Sequence, residues 1–189
     1  NCTLGYVRYT AGTVTGCTFT GTLPIRISDP DIELSGISGN TYTGANPRIY
    51  ISGYLDGSKT LTAVDGLSTY YVPDNFFQIQ TGATLTIGSN VNFVFAGTAY
   101  AFRVYGTLNA TGSNFSKESD YDLQLYVDNG GVLNLSNCTV SSGITVSYGS
   151  GSSGVVIVSR LLNATINMYS SNITISDCYI SKPGGNGIN

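Results

Sequence analysis

Apolar and polar residues alternate with a period of two along most of this chain. Thr84-Leu85-Thr86-Ile87, Val91-Asn92-Phe93-Val94-Phe95 and Ile173-Thr174-Ile175-Ser176 are three instances. A period of two sends successive side chains to opposite faces of an extended strand, so these stretches predict β-strands. Gly, Asn and Ser punctuate them, and those residues mark turns. Apolar stripes at helical spacing are few, and Ala, Leu, Glu and Lys never cluster. The pattern predicts an all-β chain of short strands.

The strands recur. Gly82-Ala83-Thr84-Leu85-Thr86-Ile87-Gly88-Ser89-Asn90-Val91 is echoed by Gly106-Thr107-Leu108-Asn109-Ala110-Thr111-Gly112-Ser113-Asn114-Phe115. Gly131-Val132-Leu133-Asn134-Leu135-Ser136-Asn137-Cys138 follows, then Ala164-Thr165-Ile166-Asn167-Met168-Tyr169-Ser170-Ser171-Asn172-Ile173. The Ser-Asn marks at 89–90, 113–114 and 136–137 are evenly spaced. The gap to 171–172 is longer and holds an extra part-coil, Gly143-Ile144-Thr145-Val146-Ser147-Tyr148, and a strand from Val155 to Ser159. Repeats of about 20–50 residues signal a solenoid, in which each coil buries its core only by stacking on the next. Leu85, Leu108, Leu133 and Ile166 are then expected to form one buried ladder. An antiparallel β-sandwich is the alternative, since short strands with turns also describe it.

The segment from Tyr70-Tyr71-Val72-Pro73 through Gly82-Ala83-Thr84-Leu85-Thr86-Ile87 to Val91-Asn92-Phe93, and again Arg103-Val104-Tyr105-Gly106-Thr107-Leu108-Asn109-Ala110-Thr111-Gly112, resembles the right-handed parallel β-helix regions, pectate-lyase-like in type, of secreted cell-surface and adhesin-type proteins. The likeness covers roughly residues 66–182. It implies a right-handed parallel β-helix and says little about function, because such helices occur in polysaccharide lyases, adhesins and surface-layer proteins alike. Residues 1–65 lack the repeat but contain strand-like runs such as Gly21-Thr22-Leu23-Pro24-Ile25-Arg26-Ile27-Ser28. They are expected to form an N-terminal β cap or strand extension over the repeats of 66–189, because solenoid ends need covering.

Composition narrows the class. Charged residues are 10% of the 189, against an average of about 25%. Net charge is −3, and 14 Tyr and 7 Phe supply the bulk that disordered chains lack. Eight Lys and Arg without a basic cluster argue against nucleic-acid binding. No apolar run approaches the roughly 18 residues of a spanning helix. The chain opens on Asn1-Cys2-Thr3 without Met, as a processed mature N-terminus would. Cys2, Cys17, Cys138 and Cys178 form no metal-binding spacing, so two disulfides and an oxidising, extracellular setting are expected. Three pairings exist, and locality favours Cys2–Cys17 with Cys138–Cys178. Asn-x-Ser/Thr sequons stand at Asn1, Asn109, Asn114, Asn134, Asn137, Asn163 and Asn172. N-glycans on them would coat one stretch of the repeat.

Chemistry for catalysis is sparse. There is no His, which removes imidazole acid–base and triad mechanisms. Asp29, Asp31 and Glu33, and likewise Glu118, Asp120 and Asp122, share strand faces at i, i+2 spacing. Either group suits a solvated edge, or else a hard cation such as Ca²⁺. Arg103 is expected to form a salt bridge or stack on Tyr100 or Tyr105. These features predict a non-catalytic protein with no cofactor or metal. Its expected role is that of an extracellular filament, pilus-like appendage or surface-coat subunit polymerising head-to-tail. Carbohydrate binding through exposed tyrosines is the alternative, and a β-helix lyase or hydrolase a weaker one.

Overall fold

A computed structural model describes residues 2–73, 77–96, 102–118, 123–141, 143–169, 171–181 and 186–189. The described residues form 26 short strands and no helix. All 21 strand pairings are parallel, in a β-solenoid of about seven turns. The antiparallel alternative is thereby excluded. The chain visits three long sheets in rotation. Sheet 1 has nine strands, from Val7–Arg8 to Tyr179–Ser181. Sheet 2 has six, from Gly53–Leu55 to Thr165–Met168. Sheet 3 has six, from Ser58–Leu61 to Asn172–Ser176. Within residues 2–42 the place of sheets 2 and 3 is taken by a three-stranded sheet (Cys2–Leu4, Cys17–Phe19, Thr41–Tyr42) and a pair (Val14–Thr15, Ile37–Ser38). Sheet 1 crosses the boundary expected at residue 65 without a break, so the first 65 residues are themselves coils of the solenoid.

Parallel register stacks like on like. In sheet 1 an inward ladder runs Val7, Ile25, Ile49, Tyr70, Phe93, Phe115, Val140, Leu161, Ile180. In sheet 3 Leu85, Leu108 and Leu133 stack as expected, each fully buried. Each such side chain contributes about 1.5–3 kcal/mol when removed from water. The expected fourth member is a correction. Ile166 belongs to sheet 2, above Phe77, Phe102, Leu125 and Val146, and the Leu ladder continues instead through Gly154 to Ile173. The stretch read as a part-coil is a full coil, with strands Ile144–Tyr148, Ser153–Ile157 and Arg160–Leu162 in sheets 2, 3 and 1. In that coil Gly154 leaves the ladder empty, and the buried Tyr148 reaches across so that its hydroxyl donates to Leu133 O at 3.4 Å. Phe77, Phe93, Phe95, Phe102 and Phe115 pack as one aromatic cluster, with ring centroids 5.1–6.5 Å apart.

The corner from sheet 3 to sheet 1 repeats a backbone device. Asn90, Asn137, Val158 and Asp177 carry φ of 62°, 51°, 49° and 53°, and Gly112 has 62°. The left-handed conformation turns the chain sharply, and Gly and Asn adopt it most readily. The next residue then points inward. Ser113, Cys138, Ser159 and Cys178 occupy that place in four successive coils, one position before the paired Asn114, Thr139, Arg160 and Tyr179. Ser113 Oγ donates to Gly88 O and Thr111 O, and Cys138 Sγ to Ala110 O and Ser136 O. Cys178 Sγ donates to Val156 O and Ser176 O. The column overturns the expected Cys138–Cys178 disulfide: both are free thiols. They are two coils apart with Ser159 between them. At about 4.8 Å per coil that separation exceeds the roughly 7 Å a disulfide can span. Cys2 and Cys17, by contrast, are direct partners on adjacent strands, the spacing a disulfide requires.

Candidate functional site

In the coils below residue 70, polar side chains add links between coils to the apolar ladder of sheet 1. Val64-Asp65-Gly66-Leu67 is a tight turn closed by mutual Val64 and Leu67 backbone hydrogen bonds of 2.9 Å. Asp65 and Gly66 both have positive φ, the Asp-Gly signature of a two-residue turn. The turn aims the Asp65 carboxylate at the coil beneath. There it accepts from Gly39 N–H (2.8 Å), Asn40 N–H and Nδ2 (2.9 Å each) and Tyr42 OH (3.0 Å). Burial alone would raise the Asp65 pKa; the hydrogen bonds from Asn40, Tyr42 and Gly39 outweigh it and hold the carboxyl below its ordinary value. The Tyr42 hydroxyl is pushed up by burial and by the same carboxylate. Asn40 also donates to Val14 O and accepts from Cys17 N–H, so one amide ties three coils.

Next to this clamp lies a cleft of about 280 Å³, bounded by residues 33–37 on one coil and 59–65 on the next. Its wall contains Lys59, which the alternation of Ser58-Lys59-Thr60-Leu61 places on the same inward face as Leu61. In register, Lys59 stands directly on Leu85, the base of the Leu85–Leu108–Leu133 ladder. The residue is 7% exposed. Its ammonium donates to Ile32 O and pairs with Glu33 Oε1 at 2.9 Å, while the Glu33 side chain is 82% exposed. Thr62 and Tyr70 complete the floor, the Tyr70 hydroxyl donating to Thr62 O at 2.7 Å. Sequence reasoning missed Lys59, although the period of two on its own strand carried the signal.

The other residues singled out by sequence fall elsewhere. Asp29, Asp31 and Glu33 do not converge. Asp31 accepts from the Asp56 and Gly57 N–H groups at 3.0 Å, Asp29 accepts from Asp31 N–H, and Glu33 turns to Lys59. Glu118 pairs with Arg48, and Asp120 and Asp122 lie outside the described residues. Among the described residues no group of three or more His, Cys, Asp or Glu is placed to hold a metal ion. Arg103 donates to the Tyr105 hydroxyl at 2.9 Å and approaches Asp128 at 3.8 Å; Tyr100 is outside the described residues. On the outer face of sheet 1, Arg26 lies over the rings of Tyr6 and Tyr50, Arg48 over Tyr71, and Arg160 over Tyr179.

The sequons do not share one face. Asn109, Asn134 and Asn172 project from sheet 3 and Asn114 from sheet 1. Asn137 and Asn163 sit at corners with φ near 50°. Asn134 Nδ2 donates to Asn109 Oδ1, and Asn114 Nδ2 to Asn92 Oδ1, both at 2.8 Å, as ladders between coils. Asn1 is outside the described residues.

At the C-terminal coil the inward residues Ile175 and Ile180 are only partly buried, although their counterparts one coil earlier, Val156 and Leu161, are fully covered. Tyr169, Tyr179 and Met168 beside them are exposed. Residues 186–189 add a short parallel bridge to sheet 2, Ile166 with Ile188, and leave the edges of sheets 1 and 3 at this coil without a further strand among the described residues. In comparisons with known proteins, no family model, no curated protein and no solved structure matches this chain.

Proposed function

We propose that this chain is a non-catalytic structural subunit of an extracellular filament or surface coat, extended along the solenoid axis by a second copy. The observation that carries this reading is the continuous stack itself: all 21 pairings between strands are parallel, and the nine strands of sheet 1 follow one another without a break. An uncovered coil offers unpaired backbone donors and acceptors together with an apolar face, which is a template for another strand. In sheet 1 the inward ladder is apolar at Val7 and at Ile180 alike, so head-to-tail stacking of copies would set like on like and continue it. A contact between unlike ends does not close on itself and propagates as a fibre. The charged groups support a structural role: Asp31 and Asp65 are spent on clamps between coils, and Arg48 on Glu118. An extracellular setting is supported by the Cys2–Cys17 register, and the expected thiol count under denaturing conditions is two, from Cys138 and Cys178; four would remove that support.

Sedimentation velocity and electron microscopy of the purified chain test the assembly. Concentration-dependent axial oligomers or fibres are expected, and Ile180→Lys should leave folded monomers, since an inward charge on an edge opposes pairing. A wild-type chain that stays monomeric at every concentration, or an Ile180→Lys variant that still polymerises, overturns the reading.

A further inference from the structure

Lys59 stands where the next three coils place leucine, and its ammonium reaches the coil beneath at Ile32 O and Glu33. Register neighbours Leu85, Leu108 and Leu133 show what the fold accepts there. Desolvating an ammonium is costly, and replacing a buried ion pair with apolar side chains of similar volume is often neutral or stabilising. A buried ammonium in a ladder otherwise of leucine breaks the local rule, and breaks of this kind concentrate at functional sites. The cleft beside it has the matching chemistry. Ile32 O and Glu33 Oε1 engage two of the three ammonium N–H groups, which leaves one donor. Glu33, largely solvent-exposed, keeps acceptor capacity. Leu34 and Val64 form an apolar wall, and Ser35 and Thr62 add hydroxyls.

We propose that this cleft binds a single neutral sugar residue carrying vicinal hydroxyls. A donor and an acceptor 2.9 Å apart suit two adjacent hydroxyls, one accepting from Lys59 Nζ and its neighbour donating to Glu33. The C–H face of the ring lies on Leu34 and Val64. A cleft of about 280 Å³ falls just below the roughly 300–1,000 Å³ of drug-sized ligand sites, which suits one ring and not a chain. Neutrality follows from Glu33 and the nearby Asp65, which oppose an anionic ligand. This reading is independent of axial assembly, because Ile180 is distant in the stack and Ile180→Lys leaves the cleft intact.

The test is titration of the whole chain, as the monomeric Ile180→Lys variant and as wild type, with the methyl glycosides of glucose, mannose and galactose. Methyl glucuronide serves as the anionic control, and amide shifts are followed by NMR. Saturable shifts at residues 33–37 and 59–65 with at least one neutral glycoside are expected. Lys59→Met fills the ladder position and should melt no lower than the parent. It and Glu33→Gln should each weaken binding at least about tenfold, the loss of a charge-assisted hydrogen bond. The absence of saturable shifts with all three glycosides, unchanged affinity in Lys59→Met, or tighter binding of the glucuronide overturns the proposal.

Discussion

Between residues 77 and 162 the coils are held by repetition: leucine over leucine, phenylalanine over phenylalanine, and a left-handed corner residue followed by a small inward donor. Between residues 14 and 65 like stacks on like chiefly in sheet 1, where Ile25 and Ile27 lie under Ile49 and Ile51, and the corners do not repeat. The strands there are two to four residues long, and the further links from coil to coil are carboxylates and amides reaching backbone groups: Asp65 to Gly39 and Asn40, Asp31 to Asp56 and Gly57, Asn40 to Val14 and Cys17. Two coils of the same outline bury equivalent side chains and need little else. Coils of different outline cannot interdigitate everywhere, so buried backbone groups at their mismatched corners must find side-chain partners. The cleft at Lys59 opens within this mismatched region, so a place for a ligand comes with the loss of regularity.

The contrast is broken most severely at the centre of the regular region. Phe93 stacks on Tyr70 below and meets Phe77, Phe95, Phe102 and Phe115. Phe93→Ala removes the shared member of that cluster and should cost about 3–5 kcal/mol, read from the denaturation midpoint and slope. A loss under about 1 kcal/mol would mean the rings do not pack as one body. No polar clamp in residues 14–65 should match that loss when deleted singly.

The same contrast governs what was legible in the sequence. Alternation disclosed the strands, and the shared Gly-x-Leu-x-Ala/Leu run disclosed the stacking of Leu85, Leu108 and Leu133. Register failed for Ile166 because Ser171-Asn172 imitates a corner, whereas the real corners of that region are Asp177 and Val158, and no turn signal marks a valine. The Cys138–Cys178 pairing failed for a related reason: proximity along the chain hides an intervening coil. In residues 1–65 the coil links join residues about two dozen positions apart through single carboxylates, which leave no local signature. Lys59 could have been found, since a lysine in phase with Leu61 on one strand face is a conflict visible without coordinates.

A smaller effect sharpens the comparison from the irregular side. Asp65→Asn retains the shape but loses charge-assisted acceptance from Gly39, Asn40 and Tyr42, and should cost about 1–2 kcal/mol at neutral pH. The sign with pH follows from the lowered pKa. A carboxyl more acidic in the folded than in the unfolded chain stabilises fully above its ordinary value near 3.8, and that contribution is lost as pH falls through the lower folded value. Thermal melts from pH 7 downward should show the parent approaching the variant in acid. A constant gap between them would assign the effect to shape and not to charge.

The smallest effect falls in the regular region and has the opposite sign. Val158 holds φ of 49° at an exposed corner where the neighbouring coils place Gly112, Asn137 and Asp177. A β-branched residue in the left-handed region is strained by roughly 1–2 kcal/mol, and its side chain gains little there, being 55% exposed. Val158→Asn should therefore stabilise by about 1 kcal/mol. Val158→Gly should stabilise less, because glycine also loosens the unfolded chain. The mirror substitution, Asn137→Val, should destabilise by a similar amount in the same denaturation assay. If Val158→Asn destabilises while Asn137→Val does as expected, the coil through Ile157 and Arg160 does not turn as its neighbours do. Regularity would then end one coil earlier.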